Sequence, residues 1–178
     1  MKQKVVLAFS GGLDTSFCVP YLINKRNLEV HTVIVNTGGF SNKELERIEE
    51  RSRILGASSH TTIDAVNDYY EKGIRYLIFG NILKNNTYPL SVSSERFFQA
   101  LSVLEHVKKI GAEYVAHGST GAGNDQVRFD LVFEVLAPDV KIIAPIRELG
   151  LSRQEEIDYL QSNGFNFSWE KSKYSINQ

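Results

Sequence analysis

Short apolar runs alternate along this chain with segments whose apolar residues recur at helical spacing. Five runs predict strands, over residues 4–9, 30–35, 59–63, 113–117 and 140–144. The remaining segments predict helices over residues 15–26, 42–55, 64–79, 94–110, 129–136 and 152–161. The alternation predicts the α/β class, as a Rossmann-like, doubly wound parallel sheet of about five strands with helices on both faces.

Local signals mark several helix boundaries. Two serines are each followed three residues later by glutamate, which is the pattern of a capping box. These pairs are Ser41 with Glu44 and Ser152 with Glu155. Pro20 is expected to kink or shorten the first helix, because proline lacks the backbone N–H. Residues 81–90 contain adjacent asparagines and a proline, and they predict a loop.

The first strand ends abruptly in Ser10-Gly11-Gly12, and an Asp-Thr-Ser cluster follows at residues 14–16. Adjacent glycines tolerate positive φ and allow the backbone to come close to a ligand. Side chains of residues 14–16 offer oxygen atoms that can cap a helix. Because free N–H groups and a positive dipole lie at a helix start, the stretch predicts a strand, an anion-binding loop and a helix.

Two common phosphate loops are excluded by the residues themselves. The chain has no Gly-Lys dipeptide, so it has no Walker A loop, and it has no G-x-G-x-x-G fingerprint. Residues 8–16 instead resemble the S-G-G-x-D-[ST]-S loop of the ATP pyrophosphatases. That resemblance implies an adenine nucleotide alpha-hydrolase-like fold and a loop that holds the β,γ-pyrophosphate of ATP while AMP is left on a substrate atom. The alternative is a tight strand–helix turn of any α/β domain.

Composition and charge limit the function classes. The 178 residues suffice for one domain with a core. Twenty basic and 21 acidic residues give a net charge of -1, which offers no electrostatic basis for binding nucleic acid or an anionic membrane. No apolar run approaches the length of a membrane span. Cys18 is the only cysteine and the four histidines lack ligand spacing, so we expect a cytoplasmic protein without a protein-built metal site.

Two further loops carry polar side chains. Residues 86–96 place hydroxyls, a tyrosine and an arginine around Pro89, although a solvated serine-rich loop is the alternative. Residues 116–130 combine three glycines with hydroxyl, amide, carboxylate and guanidinium groups, a mixture that suits a zwitterionic ligand. The alternative there is a turn that caps a helix. In a parallel sheet, the loops after the first, second and fourth predicted strands share one edge, where ligands bind.

Several motifs together resemble the argininosuccinate synthase family. They are residues 10–16, Tyr88-Pro89-Leu90, residues 117–129, Ala144-Pro145-Ile146-Arg147 and Lys173-Tyr174-Ser175. The resemblance implies a ligase that joins citrulline to aspartate and splits ATP to AMP and pyrophosphate, with Mg²⁺ bridging the phosphates.

The resemblance also implies roles for individual residues. ATP would contact Ala8, Phe9, Ser10, Gly11, Gly12, Leu13, Asp14, Thr15, Ser16 and Gly118. Aspartate would contact Thr120, Asn124 and Asp125, and citrulline would contact Tyr88, Ser93, Asn124, Arg128 and Ser175. Asp14 and Asp125 would be the catalytic residues, Asp125 by orienting or deprotonating the amine of aspartate.

The chain departs from the family pattern at Val92, at Ala122 and over residues 36–39, which leaves the adenine-side contacts open. Family members continue into a second domain. We therefore expect residues 1–164 to form the nucleotide-binding domain and residues 165–178 to begin a linker into that second domain. We also expect slow or absent ligation by the 178 residues alone and a homo-oligomer at full length.

Two other classes remain as alternatives. An ATP-dependent tRNA-modifying enzyme shares the first glycine loop, but it usually needs a basic surface or a pair of cysteines. A non-catalytic adenine-nucleotide-binding module would need no pocket like the one that residues 118–128 predict.

Overall fold

The structure, a computed structural model, describes residues 2–169 of the chain. Its main sheet has five parallel strands in the order β3-β2-β1-β6-β7. These strands are β1 (Lys4–Ala8), β2 (Glu29–Asn36), β3 (Ser59–Asp64), β6 (Tyr114–His117) and β7 (Lys141–Ile143), and a separate hairpin is formed by β4 (Leu83–Lys84) and β5 (Tyr88–Pro89). The strand order reverses between β1 and β6, so the predicted doubly wound α/β fold is confirmed.

The helices are α1 (Leu13–Arg26), α2 (Asn42–Ile54), α3 (Val66–Tyr69), α4 (Arg75–Phe79), α5 (Ser91–Ile110), α6 (Asp125–Leu136), α7 (Pro145–Leu149) and α8 (Arg153–Ser162). A π-helical turn, Tyr70–Ile74, joins α3 to α4.

Two apolar cores lie on opposite faces of the sheet. Val5 and Leu7 belong to one core with residues of α1 and α8, whereas Val6 belongs to the other with residues of α5 and α6. All three side chains are fully buried, because β1 is the central strand and is covered on both faces. The alternation along a single strand therefore builds both layers of the domain.

The predicted caps are confirmed at α2 and α8, where Ser41 and Ser152 both form capping boxes. Helix α1 continues through Pro20 without ending there. The N-cap of α1 is Gly12, which has no side chain, so the expectation that residues 14–16 cap this helix is wrong.

The prediction of a plain loop over residues 81–90 is also wrong, because the β4–β5 hairpin lies there. Its turn uses Asn85 and Asn86 at φ 54° and 56°, values that asparagine tolerates better than most residues. Helices α5 and α6 begin at Ser91 and Asp125, three and four residues earlier than predicted. Within residues 2–169, no helix is both long enough and apolar enough to cross a membrane.

Candidate functional site

A cleft of about 720 Å³ opens at the edge of the sheet where its strands end. Strands β1 and β6 are neighbours, and their pairing sets Ala8 opposite His117, so the two glycine-rich loops leave the sheet side by side. Both loops line the cleft, together with the end of β2 and side chains of α5 and α6. The prediction that these loops share one edge is confirmed.

The first glycine loop, residues 9–16, turns sharply into α1. Gly11 has φ 74°, a left-handed conformation that favours glycine. Ser10 Oγ accepts a hydrogen bond from the backbone N–H of Gly12 at 3.4 Å, and it lies 3.3 Å from Thr15 Oγ1. Thr15 Oγ1 also lies 3.3 Å from the Gly12 carbonyl oxygen. The hydroxyls thus order the loop from within, and the start of α1 faces the cleft. A helix N-terminus in this position favours negative charge.

Gly118 brings the second glycine loop, residues 118–123, against the first. A Cβ atom at Gly118 would lie 2.9 Å from Thr15 Cγ2 and 3.1 Å from Thr15 N. These separations are shorter than van der Waals contact, so a side chain at this position would push the loops apart. The close approach explains why glycine is needed here.

Two neighbouring carboxyl groups, one of which lines the cleft, have raised pKa values. Burial raises the pKa of Asp14, which lines the cleft. Burial and the negative charge of Asp14 raise the pKa of Glu156, on α8, to about 8. Arg153, which also lines the cleft, opposes both shifts. Near pH 7, the pair therefore carries less negative charge than two ordinary carboxylates would.

His117 anchors the second glycine loop from below. The Ser119 N–H donates to His117 Nδ1 at 3.2 Å, so Nε2 carries the proton and donates to Asp130 Oδ1 at 2.9 Å. Burial lowers the pKa of His117, which keeps the ring neutral. Arg147 completes the chain by donating to Asp130. His117 therefore lines the cleft and also supports the second glycine loop through Ser119.

A charged cluster joins α5 to α6 beside the cleft. Asp125 Oδ1 accepts from Arg128 Nη1 at 2.6 Å, and Asp125 Oδ2 accepts from Arg96 Nε at 3.3 Å. Arg128 Nη2 also donates to Ser93 Oγ at 3.1 Å. The carboxylate of Asp125 is therefore held between two guanidinium groups, and the cluster offers both signs of charge to a ligand.

The predicted site residues fall into three groups. Those that line the cleft are Ala8, Phe9, Ser10, Gly12, Leu13, Asp14, Thr15, Gly118, Thr120 and Asp125. Those that adjoin it through neighbours are Gly11, Ser16, Ser93, Asn124 and Arg128. Tyr88, 46% exposed on the hairpin, does not line the cleft, and Ser175 lies outside the described residues.

Sequence reasoning missed several side chains of the cleft. The sequence indicated Arg96 only as the arginine of the loop over residues 86–96, and it did not indicate Gln99. The two are three residues apart on α5, a spacing that could have indicated a common face. Glu95, only 7% exposed, accepts from Thr37 Oγ1 at 2.6 Å and ties α5 to the segment after β2, where the sequence departs from the family pattern. Glu156 and Arg153 belong to a predicted helix, but no local spacing connected them to the first loop.

Comparison with known proteins gives a consistent result. Residues 4–166 match the family model described as the arginosuccinate synthase N-terminal HUP domain. The argininosuccinate synthase of Sulfolobus acidocaldarius is 47% identical over 176 residues, which cover 99% of this chain and 44% of the relative.

Two other relatives agree with that match. The argininosuccinate synthase of Methanocaldococcus jannaschii is 43% identical over 178 residues, covering 100% of this chain and 45% of the relative. The argininosuccinate synthase of Xanthomonas axonopodis pv. citri is 43% identical over 180 residues, covering 99% of this chain and 43% of the relative. This chain thus spans less than half the length of these relatives. Since the match runs through both glycine loops and all five strands of the parallel sheet, the chain belongs to the argininosuccinate synthase family.

Proposed function

We propose that this chain is the nucleotide-binding part of an ATP-dependent ligase that condenses citrulline with aspartate and releases AMP and pyrophosphate. The observation that carries the proposal is the meeting of the two glycine loops, at Gly118 and Thr15, in one cleft with Asp125. A phosphate site and a site for a zwitterion are then close enough to serve one reaction. The relatives named argininosuccinate synthase support this choice.

The first glycine loop would hold the β- and γ-phosphates of ATP. Its backbone N–H groups and the dipole of α1 stabilise negative charge, and the reduced charge of the Asp14–Glu156 pair limits repulsion of the phosphates. Gly118 would lie beside the nucleotide, since it contacts the same helix start. Pyrophosphate becomes a good leaving group once this charge is neutralised.

Mg²⁺ fits the site as an ion shared with the phosphates. The carboxyl group of Asp14 lines the cleft beside the loop and would be the protein's ligand. Within residues 2–169, no three or more His, Cys, Asp or Glu side chains cluster as a metal site. That agrees with the habit of Mg²⁺ of binding one or two carboxylates, phosphate oxygens and water. The ion would supply further neutralisation of the phosphate charge.

The charged cluster would bind the two amino acids. Thr120, Asn124 and Asp125 would hold aspartate, with the Asp125 carboxylate facing the ammonium group. Citrulline would contact Tyr88, Ser93, Asn124, Arg128 and Ser175, with the guanidinium of Arg128 available to its carboxylate. The Asp125–Arg128 distance of 2.6 Å supports adjacent subsites for groups of opposite charge.

The reaction would proceed by two displacements. The ureido oxygen of citrulline attacks the α-phosphorus of ATP, and the bond to pyrophosphate breaks. The amine of aspartate then attacks the activated ureido carbon, loses a proton, and releases AMP. Both steps depend mainly on positioning and on stabilised charge.

We further propose that the protein is cytoplasmic and that a full-length chain self-associates. Cys18 is buried and free, which suits a reducing compartment. Val127, Leu131 and Val135 are 59%, 48% and 65% exposed at four-residue spacing on α6, an apolar stripe that association would cover.

Product analysis tests the reaction. We expect any turnover of ATP with citrulline, aspartate and Mg²⁺ to yield AMP and pyrophosphate, measured by nucleotide chromatography and a pyrophosphate assay. An extended chain carrying a family-like C-terminal domain should be faster than the 178 residues alone. ADP and phosphate as stoichiometric products would contradict the proposal, and nucleotide binding without turnover in the extended chain would favour a non-catalytic module.

A substitution tests the amino-acid site. Asp125→Ala should weaken aspartate binding far more than ATP binding, because a bound ammonium that loses its charged partner costs on the order of 2–5 kcal/mol. Asp139→Ala, at an exposed turn, is the matched control. Unchanged aspartate titrations of the Asp125→Ala variant would exclude the assignment of this cluster to aspartate.

A further inference from the structure

Arg51 lies on α2, behind the first glycine loop. Its Nη1 donates a hydrogen bond to the carbonyl oxygen of Gly11. Its guanidinium carbon also lies 5.1 Å from the ring centroid of Phe167 and 5.0 Å from that of Trp169. One side chain thus contacts both the phosphate loop and the segment that follows α8.

Helix α2 supports Gly11 at a second point. A Cβ atom at Gly11 would lie only 3.0 Å from Ile48 Cγ1, one helical turn before Arg51. Ile48 packs against the Cα side of the glycine, while Arg51 binds its carbonyl group. Since Gly11 is the left-handed residue of the loop, these two contacts restrain the point where the chain turns.

The charge of Arg51 is held without an acidic partner. Within residues 2–169, no carboxylate forms an ion pair with this guanidinium, and burial lowers its pKa from an ordinary value far above neutrality. Two aromatic faces and one carbonyl oxygen surround the cation instead. A positive charge that no carboxylate of residues 2–169 pairs with therefore lies directly behind the loop.

The hydrogen bond from Arg51 also polarises the peptide between Gly11 and Gly12. Polarisation of a peptide carbonyl strengthens the N–H of the same peptide as a donor. That N–H belongs to Gly12, the N-cap of α1, and it donates at 3.4 Å to Ser10 Oγ, a hydroxyl of the cleft lining. Arg51 can therefore strengthen the internal hydrogen bond that orders the loop, without itself lining the cleft.

The segment after α8 packs over Arg51 through a row of alternate aromatic residues. The ring centroids of Phe165 and Phe167 are 6.5 Å apart, and those of Phe167 and Trp169 are 5.6 Å apart. All three side chains pack against the core that contains α1. This arrangement links residues 165–169 to the loop through a single cation.

We propose that Arg51 is a positioning residue for the first glycine loop, and that Phe167 and Trp169 hold it against Gly11, so that the chain after α8 senses occupancy of the loop. The proposal deepens the proposed function, because it rests on the loop being a phosphate site. It assigns a role to a side chain that lies outside the cleft itself.

The test compares Arg51→Gln with Arg53→Gln, a matched control on the same helix. Arg53 is 71% exposed and pairs only at the surface with Glu49, at 3.1 Å. Hydrogen exchange of residues 9–16 and acrylamide quenching of Trp169, the only tryptophan, are measured without ligand. Pyrophosphate with Mg²⁺ is then titrated by calorimetry and by Trp169 emission.

We expect Arg51→Gln to accelerate exchange of the loop, to expose Trp169 to acrylamide, and to weaken pyrophosphate binding roughly tenfold, the scale of one lost charge-assisted hydrogen bond. Arg53→Gln should match the parent chain, and Arg51→Lys should recover part of the affinity. Pyrophosphate should change Trp169 emission in the parent chain but not in Arg51→Gln.

Equal loop exchange and equal Trp169 quenching in the two glutamine variants would overturn the proposal. If the parent chain binds no pyrophosphate, the proposed function fails, while loop exchange and quenching still decide whether Arg51 positions the loop. If pyrophosphate binds and Trp169 emission stays constant, the coupling to residues 165–169 is refuted.

Discussion

Glu156 shows how one buried side chain affects the whole site. It is 3% exposed, and its Oε2 atom accepts no hydrogen bond from the residues that the structure describes. Burial and the adjacent Asp14 raise its pKa to about 8, so the carboxyl group is mostly neutral at pH 7. A neutral acid can lie beside Asp14 and the proposed phosphate site without adding a second negative charge.

This pKa predicts how stability depends on pH. Between about pH 4.5 and pH 8 the folded chain binds more protons at Glu156 than the unfolded chain, so its stability falls as pH rises through this window. Glu156→Gln removes this titration. Between pH 5 and pH 9 its free energy of unfolding should therefore fall by about 2–4 kcal/mol less than that of the parent chain. Urea unfolding across this range measures the difference.

Glu134→Gln, at an exposed position on α6, is the control and should follow the parent chain. Parallel pH profiles for the parent chain and Glu156→Gln would show that Glu156 titrates normally in the folded state.

At the scale of elements, the site depends on the adjacency of β1 and β6. Both strands end in glycine-rich loops, and parallel pairing brings those loops out at the same level of the sheet. Gly118 then meets the first turn of α1 at Thr15. The helix dipole that attracts an anion and the loop that carries the polar pocket are thereby held in contact.

This contact predicts that Gly118→Ala weakens ligand binding. A methyl group 2.9 Å from Thr15 Cγ2 forces the two loops apart, with an overpacking cost of about 1–3 kcal/mol. If ligand binding has to bear that cost, nucleotide affinity should fall by roughly 5- to 150-fold, at about 1.4 kcal/mol for each factor of ten. Calorimetric titration with ATP and Mg²⁺ measures it.

Gly121→Ala is the matched control, because its added Cβ would lie 3.9 Å from Arg147 Cγ, the nearest atom apart from its chain neighbours, which is ordinary contact. Equal affinities of the two alanine variants would mean that the loops can separate without consequence.

At the scale of the molecule, the cleft draws on both core layers. The first loop continues into α1 on one face of the sheet, while Asp125 and Arg96 come from α6 and α5 on the other. A ligand that contacts both sides bridges the layers. Its binding should therefore stabilise the domain as a unit, and not a single loop.

We expect ATP with Mg²⁺ at one hundred times its dissociation constant to stabilise the folded chain by about 2.7 kcal/mol. For a chain of this size, that raises the unfolding midpoint by roughly 5–10 °C in calorimetry. Sodium sulfate at matched ionic strength controls for general anion effects. A midpoint that does not move at saturating ATP would contradict a nucleotide site in this cleft.

Much of the architecture follows from features that are local in the chain. Apolar runs and helical spacing predicted every strand of the parallel sheet and the longer helices. The buried face of a strand or helix places apolar residues at regular, short intervals along the chain. The two glycine loops were also predicted, because the glycine and polar residues that form a turn are adjacent in the sequence. Short-range reasoning failed at the Asn85-Asn86 hairpin and at the early starts of α5 and α6. The ligand roles of the individual site residues stay predictions.

The sequence by itself thus determined the alternating strands and helices, the phosphate-type loop and the family motifs. Only the tertiary structure decided that β6 lies beside β1, that Arg51 donates to the Gly11 carbonyl and that Glu156 lies next to Asp14. These partners are 40 to 142 residues apart, so no local period can mark them. Their meeting depends on strand order and on which helix covers which face, which are set by the packing of the whole domain.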